Sequence, residues 1–260
     1  MTGTAGVGSA SRRSVPEPRE AASPSSPSSP PSWQSVLRRA EIFRDVDDAD
    51  VEALLRHFEP QRLRNGQVVF SQGDPGEHLF VVVGGRVTIS RAEAGLPRAA
   101  LAVLGPADMF GELSVFDPGP RTSSATAASV AEVACLERDA MLAWVDTRPE
   151  IARRLLQVLA RRLRRTNASL SDLVFVDVPG RLARVLLDLH QRFGSPDVPG
   201  APVEHGLTQS QLAELVGSSR ETVNKALSEF AHRGWVVIGQ RRLQVLDVPA
   251  LTRRARLPLP

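Results

Sequence analysis

Gly111 and Glu112 stand ten residues ahead of Arg121 and Thr122 in the run MFGELSVFDPGPRTSSATA (109–127). A guanidinium holds two phosphate oxygens at once, so Arg121 suits a buried anion. Gly111 permits close backbone approach, and Glu112 can accept a hydrogen bond from a sugar hydroxyl. If Leu113 and Ser114 open a short helix, their N–H groups favour an anion as well. Thr122 adds a hydroxyl and an N–H beside the cation. These are the groups that a phosphate, ribose and flat base would need, as in a 3′,5′-cyclic nucleotide. On spacing alone the plainer reading is an Arg–Glu ion pair on a barrel rim.

A second constellation lies in LTQSQLAELVGSSRETVNKALSEF (207–230). Thr208 and Gln211 form a capping box for a helix ending at Val216. Gly217 supplies a tight turn, and Ser218 with Glu221 caps the next helix. On that next helix Val223, Ala226, Leu227 and Phe230 share the apolar face. Glu221, Asn224, Lys225 and Ser228 point the other way, with Arg220 at the N-terminal rim. Arg and Lys donate to guanine O6 and N7, and Glu accepts from cytosine N4. The pattern is a helix-turn-helix for double-stranded DNA, with Thr208, Gln209, Ser218 and Thr222 at its helix starts as further contacts. Singly, Glu221 serves equally well as a capping partner or as an i,i+4 partner of Lys225; the grouping favours base reading. WVVIGQRRLQVLD (235–247) reads as a β-hairpin wing whose tip, Gln240-Arg241-Arg242, either touches phosphate or is a solvated turn.

The elements that must position these groups follow from texture. The chain has 260 residues, enough for two domains. Residues 1–149 hold 15 basic and 19 acidic side chains and residues 150–260 hold 17 and 10, so the C-terminal half is the basic one. Residues 1–32, rich in Ser and Pro, are expected to be a disordered extension or an upstream misplaced start. Residues 33–146 begin with a short helical entry. From Gln61 to Leu136 short β-rich runs alternate with turn signals, as in a β-roll or small barrel. Gly84-Gly85 reads as a two-residue hairpin turn.

From Thr147 the pattern is helical, with a Thr147/Glu150 capping box and Pro149 in the first turn. Over 147–176, Leu156, Leu159, Leu163, Thr166, Leu170 and Leu173 recur at alternating spacings of three and four, a heptad seam that predicts a parallel homodimer. Thr166 is its polar exception. VDVPG (176–180) breaks this helix and reads as a hinge into residues 177–260. No apolar run is long enough for a membrane, and no secretory signal is visible, so the expected setting is cytoplasmic. Cys135 alone builds neither a disulfide nor a thiolate cage, and no metal is expected.

Four ordered motifs, FGELSVFDPGPRTSSAT, LARRLRRTN, DVPGRLARVLLDL and LTQSQLAELVGSSRETVNKAL, resemble the CRP/FNR superfamily, most of all its actinobacterial cAMP-responsive branch. The resemblance covers about residue 34 to the end. It implies an α+β fold: a cyclic-nucleotide-binding β-roll (jelly-roll-like), a long dimerisation helix and a C-terminal winged helix-turn-helix. It places phosphate binding on Arg121 and Thr122, ribose binding on Gly111 and Glu112, and adenine contacts on Thr166 and Asn167. DNA reading falls on Arg220, Glu221 and Lys225; the lysine, where the family often has arginine, softens guanine preference. The implied protein is not an enzyme. It is a cAMP-responsive homodimer that binds TGTGA-like palindromes and works with RNA polymerase. The family's iron–sulfur form needs four thiolates, which one cysteine cannot supply, and His57 and His78 have no context that marks them as haem ligands. The alternatives are a regulator already competent without cAMP or tuned to another nucleotide and, from a different class, a cyclic-nucleotide-gated enzyme or scaffold.

Overall fold

Short apolar runs between turn residues build two four-stranded antiparallel sheets here, because each run is long enough for one layer and too short for a helix. The structure is a computed structural model that describes residues 1–3, 32–44, 46–95, 98–194 and 200–256. The expected extension over 1–32 thus lies almost wholly outside the described residues.

Helix α1 (Trp33–Leu37), a 3₁₀ turn at Glu41–Phe43 and α2 (Asp48–Leu55) lead in. Asp47 caps α2 by accepting from the Ala49 N–H at 2.9 Å. The strands are β1 (Glu59–Leu63), β2 (Val68–Phe70), β3 (His78–Gly84), β4 (Val87–Arg91), β5 (Ala99–Leu104) and β6 (Met109–Phe110). After the one-turn helix α3 (Leu113–Phe116) come β7 (Ser124–Ala127) and β8 (Ala131–Glu137). One sheet runs β1-β8-β3-β6 and the other β2-β7-β4-β5. Phe70, Phe80, Val82, Phe110, Val133 and Cys135 fill the space between them.

Gly84-Gly85 is therefore not a hairpin turn. β3 pairs with β8 and β6, and β4 pairs with β5 and β7, so the glycines carry the chain from one sheet to the other. Gly85 has φ +74°, and a Cβ there would stand 2.2 Å from the Val130 carbonyl oxygen, so glycine is required at this corner.

Helix α4 (Arg138–Thr147) follows β8 directly, and the sequence pattern did not announce it. Its last residue takes the hydroxyl that was expected to cap the long helix. Thr147 Oγ1 donates to the Ala143 and Trp144 carbonyls at 3.0 and 3.1 Å, and the N-cap of α5 (Pro149–Phe175) is Arg148, without a side-chain cap. Pro149 does sit in the first turn, as expected. Of the seam leucines, Leu156, Leu163, Leu170 and Leu173 are 67, 61, 58 and 54% exposed, while Leu159 leans on the core formed by α1, α2, α4 and the first sheet.

The break at 176–180 is real: α5 stops at Phe175, and α6 (Val178–Phe193) starts behind the N-cap Asp177, which accepts from the Gly180 N–H at 3.0 Å. Arginines brace this joint. Arg254 donates to both Asp177 oxygens, at 2.9 and 2.8 Å, and Arg181 reaches the carbonyls of Val176 and Val216 at 2.8 and 2.9 Å. Arg184 pairs with Asp172 and so ties α6 back to α5. Beyond lie β9 (Val203–Glu204), α7 (Gln209–Val216), α8 (Arg220–His232), β10 (Val236–Gly239), β11 (Arg242–Val245) and α9 (Val248–Arg254). The expected wing is the β10–β11 hairpin, with β9 added as a third strand. Their common core also takes in Val103 and Ala128 from the β-roll.

Candidate functional site

The ion pair expected on a barrel rim does not form. Arg121 is 4% exposed and Glu112 1% exposed, and each faces a different partner. Arg121 Nη1 donates to the Gly111 carbonyl and Nη2 to the His78 carbonyl, both at 2.7 Å. Its guanidinium lies 4.2 Å from the centre of the Phe70 ring, on an aromatic floor continued by Phe80 and Phe110. Arg121 Nε is buried without a partner, and no carboxylate among the described residues pairs with the group. Burial pulls its pKa below the usual arginine value, opposed by the neighbouring Cys135, Glu112 and Asp74. A buried cation held by neutral carbonyls and an aromatic face is short of an anion. The structure thus builds a positive, preorganised floor at this point.

Local sequence explains the placement. Gly111 has φ +80°, and a Cβ on it would lie 2.8 Å from Arg121 Nη1, so glycine lets the guanidinium reach the carbonyl. The Arg121 N–H donates to the Asp74 carbonyl and its own carbonyl accepts from Gly73 N, each at 2.8 Å, which pins residue 121 to the 73–74 turn. Ser114 is buried at the start of α3, Leu113 is half exposed beside it, and Thr122 is exposed next to Arg121. The chain therefore brings Gly111, Glu112, Leu113, Ser114, Arg121 and Thr122 into one cradle.

Glu112 is held by Arg162 of α5, which also donates to the Met109 carbonyl at 2.7 Å. Arg162 lies within the LARRLRRTN motif, and its spacing assigned it no role. Thr166 and Asn167 lie further along the same helix and are exposed; Thr166 Oγ1 donates back to the Arg162 carbonyl at 3.1 Å. Within one chain neither residue shows a bond into the cradle.

In the C-terminal region the Thr208–Gln211 capping box is complete, with bonds of 3.2 and 2.9 Å, and Gly217 adopts φ +67°. The second cap is corrected by one residue: Ser219, not Ser218, accepts from the Thr222 N–H at 3.1 Å, and Thr222 Oγ1 lies 2.9 Å from Ser219 Oγ. Val223, Ala226, Leu227 and Phe230 are buried, as expected. Arg220, Glu221, Lys225 and Ser228 are exposed, and no ion pair joins Glu221 to Lys225 among the described residues. Asn224 sits at the flank of this face, half-buried, with its Oδ1 buried and unpartnered. Gln209 accepts from Arg220 Nη2 at 3.4 Å. The face is a row of polar side chains on a rigid helix, free to meet a polyanion. The wing tip is exposed, with Arg241 at φ +58° and its carbonyl accepting from His205 and Gly206 at 3.2 Å.

Residues 60–148 match the family described as a cyclic nucleotide-binding domain, and residues 180–254 match the Crp-like helix-turn-helix domain. A CRP-like cAMP-activated global transcriptional regulator of Mycobacterium tuberculosis is 49% identical over 85% of this chain and 99% of its own length. The chain belongs to the CRP/FNR superfamily. Within it, the cyclic AMP receptor protein of Thermus thermophilus is 34% identical over 83% of this chain and 96% of its own. The solved structure of FixK2 from Bradyrhizobium japonicum shares the fold, with a TM-score of 0.69 at 22% identity over 75% of this chain and 96% of that one. Both halves of the family architecture are present: the matched effector domain contains the Arg121 cradle, and the matched reader contains α7 and α8. The Mycobacterium tuberculosis relative is a transcriptional regulator, and among the described residues no helix is long and apolar enough to cross a membrane and no cluster of metal-ligating side chains occurs.

Proposed function

We propose that this chain is a homodimeric, cAMP-activated regulator of transcription that binds a palindrome of TGTGA-like half-sites. One observation carries the effector: a buried Arg121 whose positive charge meets two carbonyls and an aromatic face but no carboxylate partner among the described residues. The cyclic phosphate would occupy the Arg121–Thr122 end, the ribose would meet Gly111 and Glu112, and the amides of Leu113 and Ser114 would close the anion's other side. Thr166 and Asn167 would meet adenine across the paired long helices, where the dimer interface and the base would adjoin. The exposed leucine row supports this pairing, since burying four such side chains stabilises a dimer by several kcal/mol, at roughly 25 cal/mol per Å².

On DNA, Arg220, Glu221 and Lys225 would read base edges, with Asn224 beside them. Thr208, Gln209, Ser218 and Thr222 would set the helix starts on the phosphates. A two-fold dimer requires half-site centres about 34 Å apart. Residues 33–146, 147–176 and 177–260 would act as effector domain, dimer helix and reader, in the cytoplasm and with RNA polymerase as partner. Ligand shifts the equilibrium only through its different affinity for the two arrangements of the readers. Calorimetric titration with cAMP tests the reading. One saturable site per subunit is the expected result, and no heat of binding at millimolar cAMP overturns it.

A further inference from the structure

The five residues 108–112 tie three parts of the molecule together. Glu112 and the Met109 carbonyl are held by Arg162 of the long helix, and the Gly111 carbonyl by Arg121. At the other end of this run the Asp108 carboxylate accepts from Arg192 Nη2 at 2.6 Å and from the Gly105 N–H at 2.8 Å. Arg192 lies at the end of α6, on the far side of the joint at 176–180.

Its neighbour Phe193 enters the same place. A Cβ on Gly105 would stand 2.5 Å from Phe193 Cε1, so the ring packs against bare backbone of the β5–β6 turn. The Arg86 guanidinium covers the ring at 3.9 Å from its centre, and the Arg192 guanidinium lies 4.8 Å away. Around this point the two regions share buried surface. Val103 and Ala128 of the roll belong to the same apolar core as Leu207, Leu212 and Phe230. A Cβ on Gly206 would stand 3.2 Å from the Ala128 carbonyl oxygen. His205 is buried beside Arg86. None of this covers the exposed side chains of α8.

We infer that Phe193 and the Asp108–Arg192 pair form an intrachain clasp that positions the helix-turn-helix on its own β-roll and links it, through residues 108–112, to the ligand cradle. The clasp is a second route beside the long helix and joint, and it runs within one subunit. Any shift of the cradle strand β6 moves Asp108, and with it the seat of α6. Arg192, Phe193 and Gly105 are positioning residues: they touch neither the cradle nor the exposed face of α8. The inference rests on the cAMP-activated reading above.

The test is the coupling ratio, the DNA dissociation constant without cAMP divided by that at saturating cAMP. It is measured at fixed salt on full-length protein with a palindromic and a scrambled duplex. Phe193→Ala opens the clasp from the reader side, Gly105→Ala displaces the ring from the roll side, and Asp108→Asn removes only the ion pair. The expected result is a coupling ratio that falls about threefold or more towards one in all three. Preference for the palindrome over the scrambled duplex persists, because the reading face is untouched. A purely structural contact would lower the thermal midpoint and leave the ratio alone. If Phe193→Ala does not fold, Asp108→Asn carries the test. A parent that responds to cAMP alongside variants that respond equally overturns the clasp alone. A parent that binds the palindrome but ignores cAMP overturns the functional reading, and the clasp with it.

Discussion

Arg121 is 4% exposed and fixed by two carbonyls and an aromatic ring, whereas Arg220, Glu221 and Lys225 stand in solvent on a helix whose opposite face is core. The first arrangement holds a cation at a desolvation cost that an anion can offset, so its response to loss of the side chain should be abrupt. The second carries no such cost. Its affinity should build up from exposed contacts and weaken steadily with salt. On the proposed function, burial would make the one site selective for a small anion of fixed shape, and exposure would let the other scan a long polyanion.

The sharpest way to break this comparison is Arg121→Ala. Loss of the bidentate cation should weaken cAMP binding at least about a hundredfold, near 2.7 kcal/mol, in a calorimetric titration. Circular dichroism should still show a folded chain. Unchanged affinity would remove Arg121 from the site. Arg121→Lys should rescue little, since an ammonium lacks the planar fork.

The pH dependence probes the place where the two regions meet. Burial, helped by the Arg86 charge, pushes the His205 pKa down from 6.5 to about 4. A histidine depressed in the folded state binds fewer protons than in the unfolded state between those values. Stability therefore falls as pH drops from about 6.5 to about 4, by on the order of 3 kcal/mol, and this contribution levels off below that. Denaturant titrations of the parent and of His205→Asn across this window should show the slope flattened in the variant. Parallel curves would mean that His205 is not buried neutral.

On the reading helix, Arg220→Ala should cost roughly 1–3 kcal/mol on the palindrome and relax preference at one base position. A duplex library scored by competition checks this. An equal loss on every sequence would make Arg220 a phosphate contact. The smallest effect belongs to the scaffold of the reader: Thr208→Ala removes one half of the capping box and should cost about 1 kcal/mol of stability by chemical denaturation. It should leave cAMP affinity in place.

The two regions also differ in how far the sequence discloses them. The helix-turn-helix is legible because its signals are local. Thr208 finds Gln211 three residues away, Gly217 supplies the left-handed turn, and the buried positions recur at helical spacing. The cradle depends on partners far along the chain: His78 lies 43 residues before Arg121, and Arg162 lies 50 residues beyond Glu112. Spacing alone therefore favoured an Arg121–Glu112 pair over the nucleotide that the same residues suggested, and the resemblance to a family tipped the reading to the ligand. The same limit explains the corner at Gly84-Gly85, which carries a good local turn signal, while strand pairing is decided by the sheet each strand enters. At Thr147 two helices compete for one hydroxyl, and the preceding helix, unseen in the sequence, takes it. At α8 the cap moved one residue, from Ser218 to Ser219, because two adjacent serines offer the same chemistry and backbone geometry chooses between them.

The central claim is that the buried cradle controls the exposed reader. Its most direct test is fluorescence anisotropy of a labelled TGTGA-N6-TCACA duplex, titrated with the full-length protein at fixed salt, with and without cAMP, beside a scrambled duplex. The account predicts tight binding to the palindrome that strengthens with cAMP, and weak binding to the scrambled duplex that cAMP does not change. Palindrome binding identical in the two titrations would contradict it.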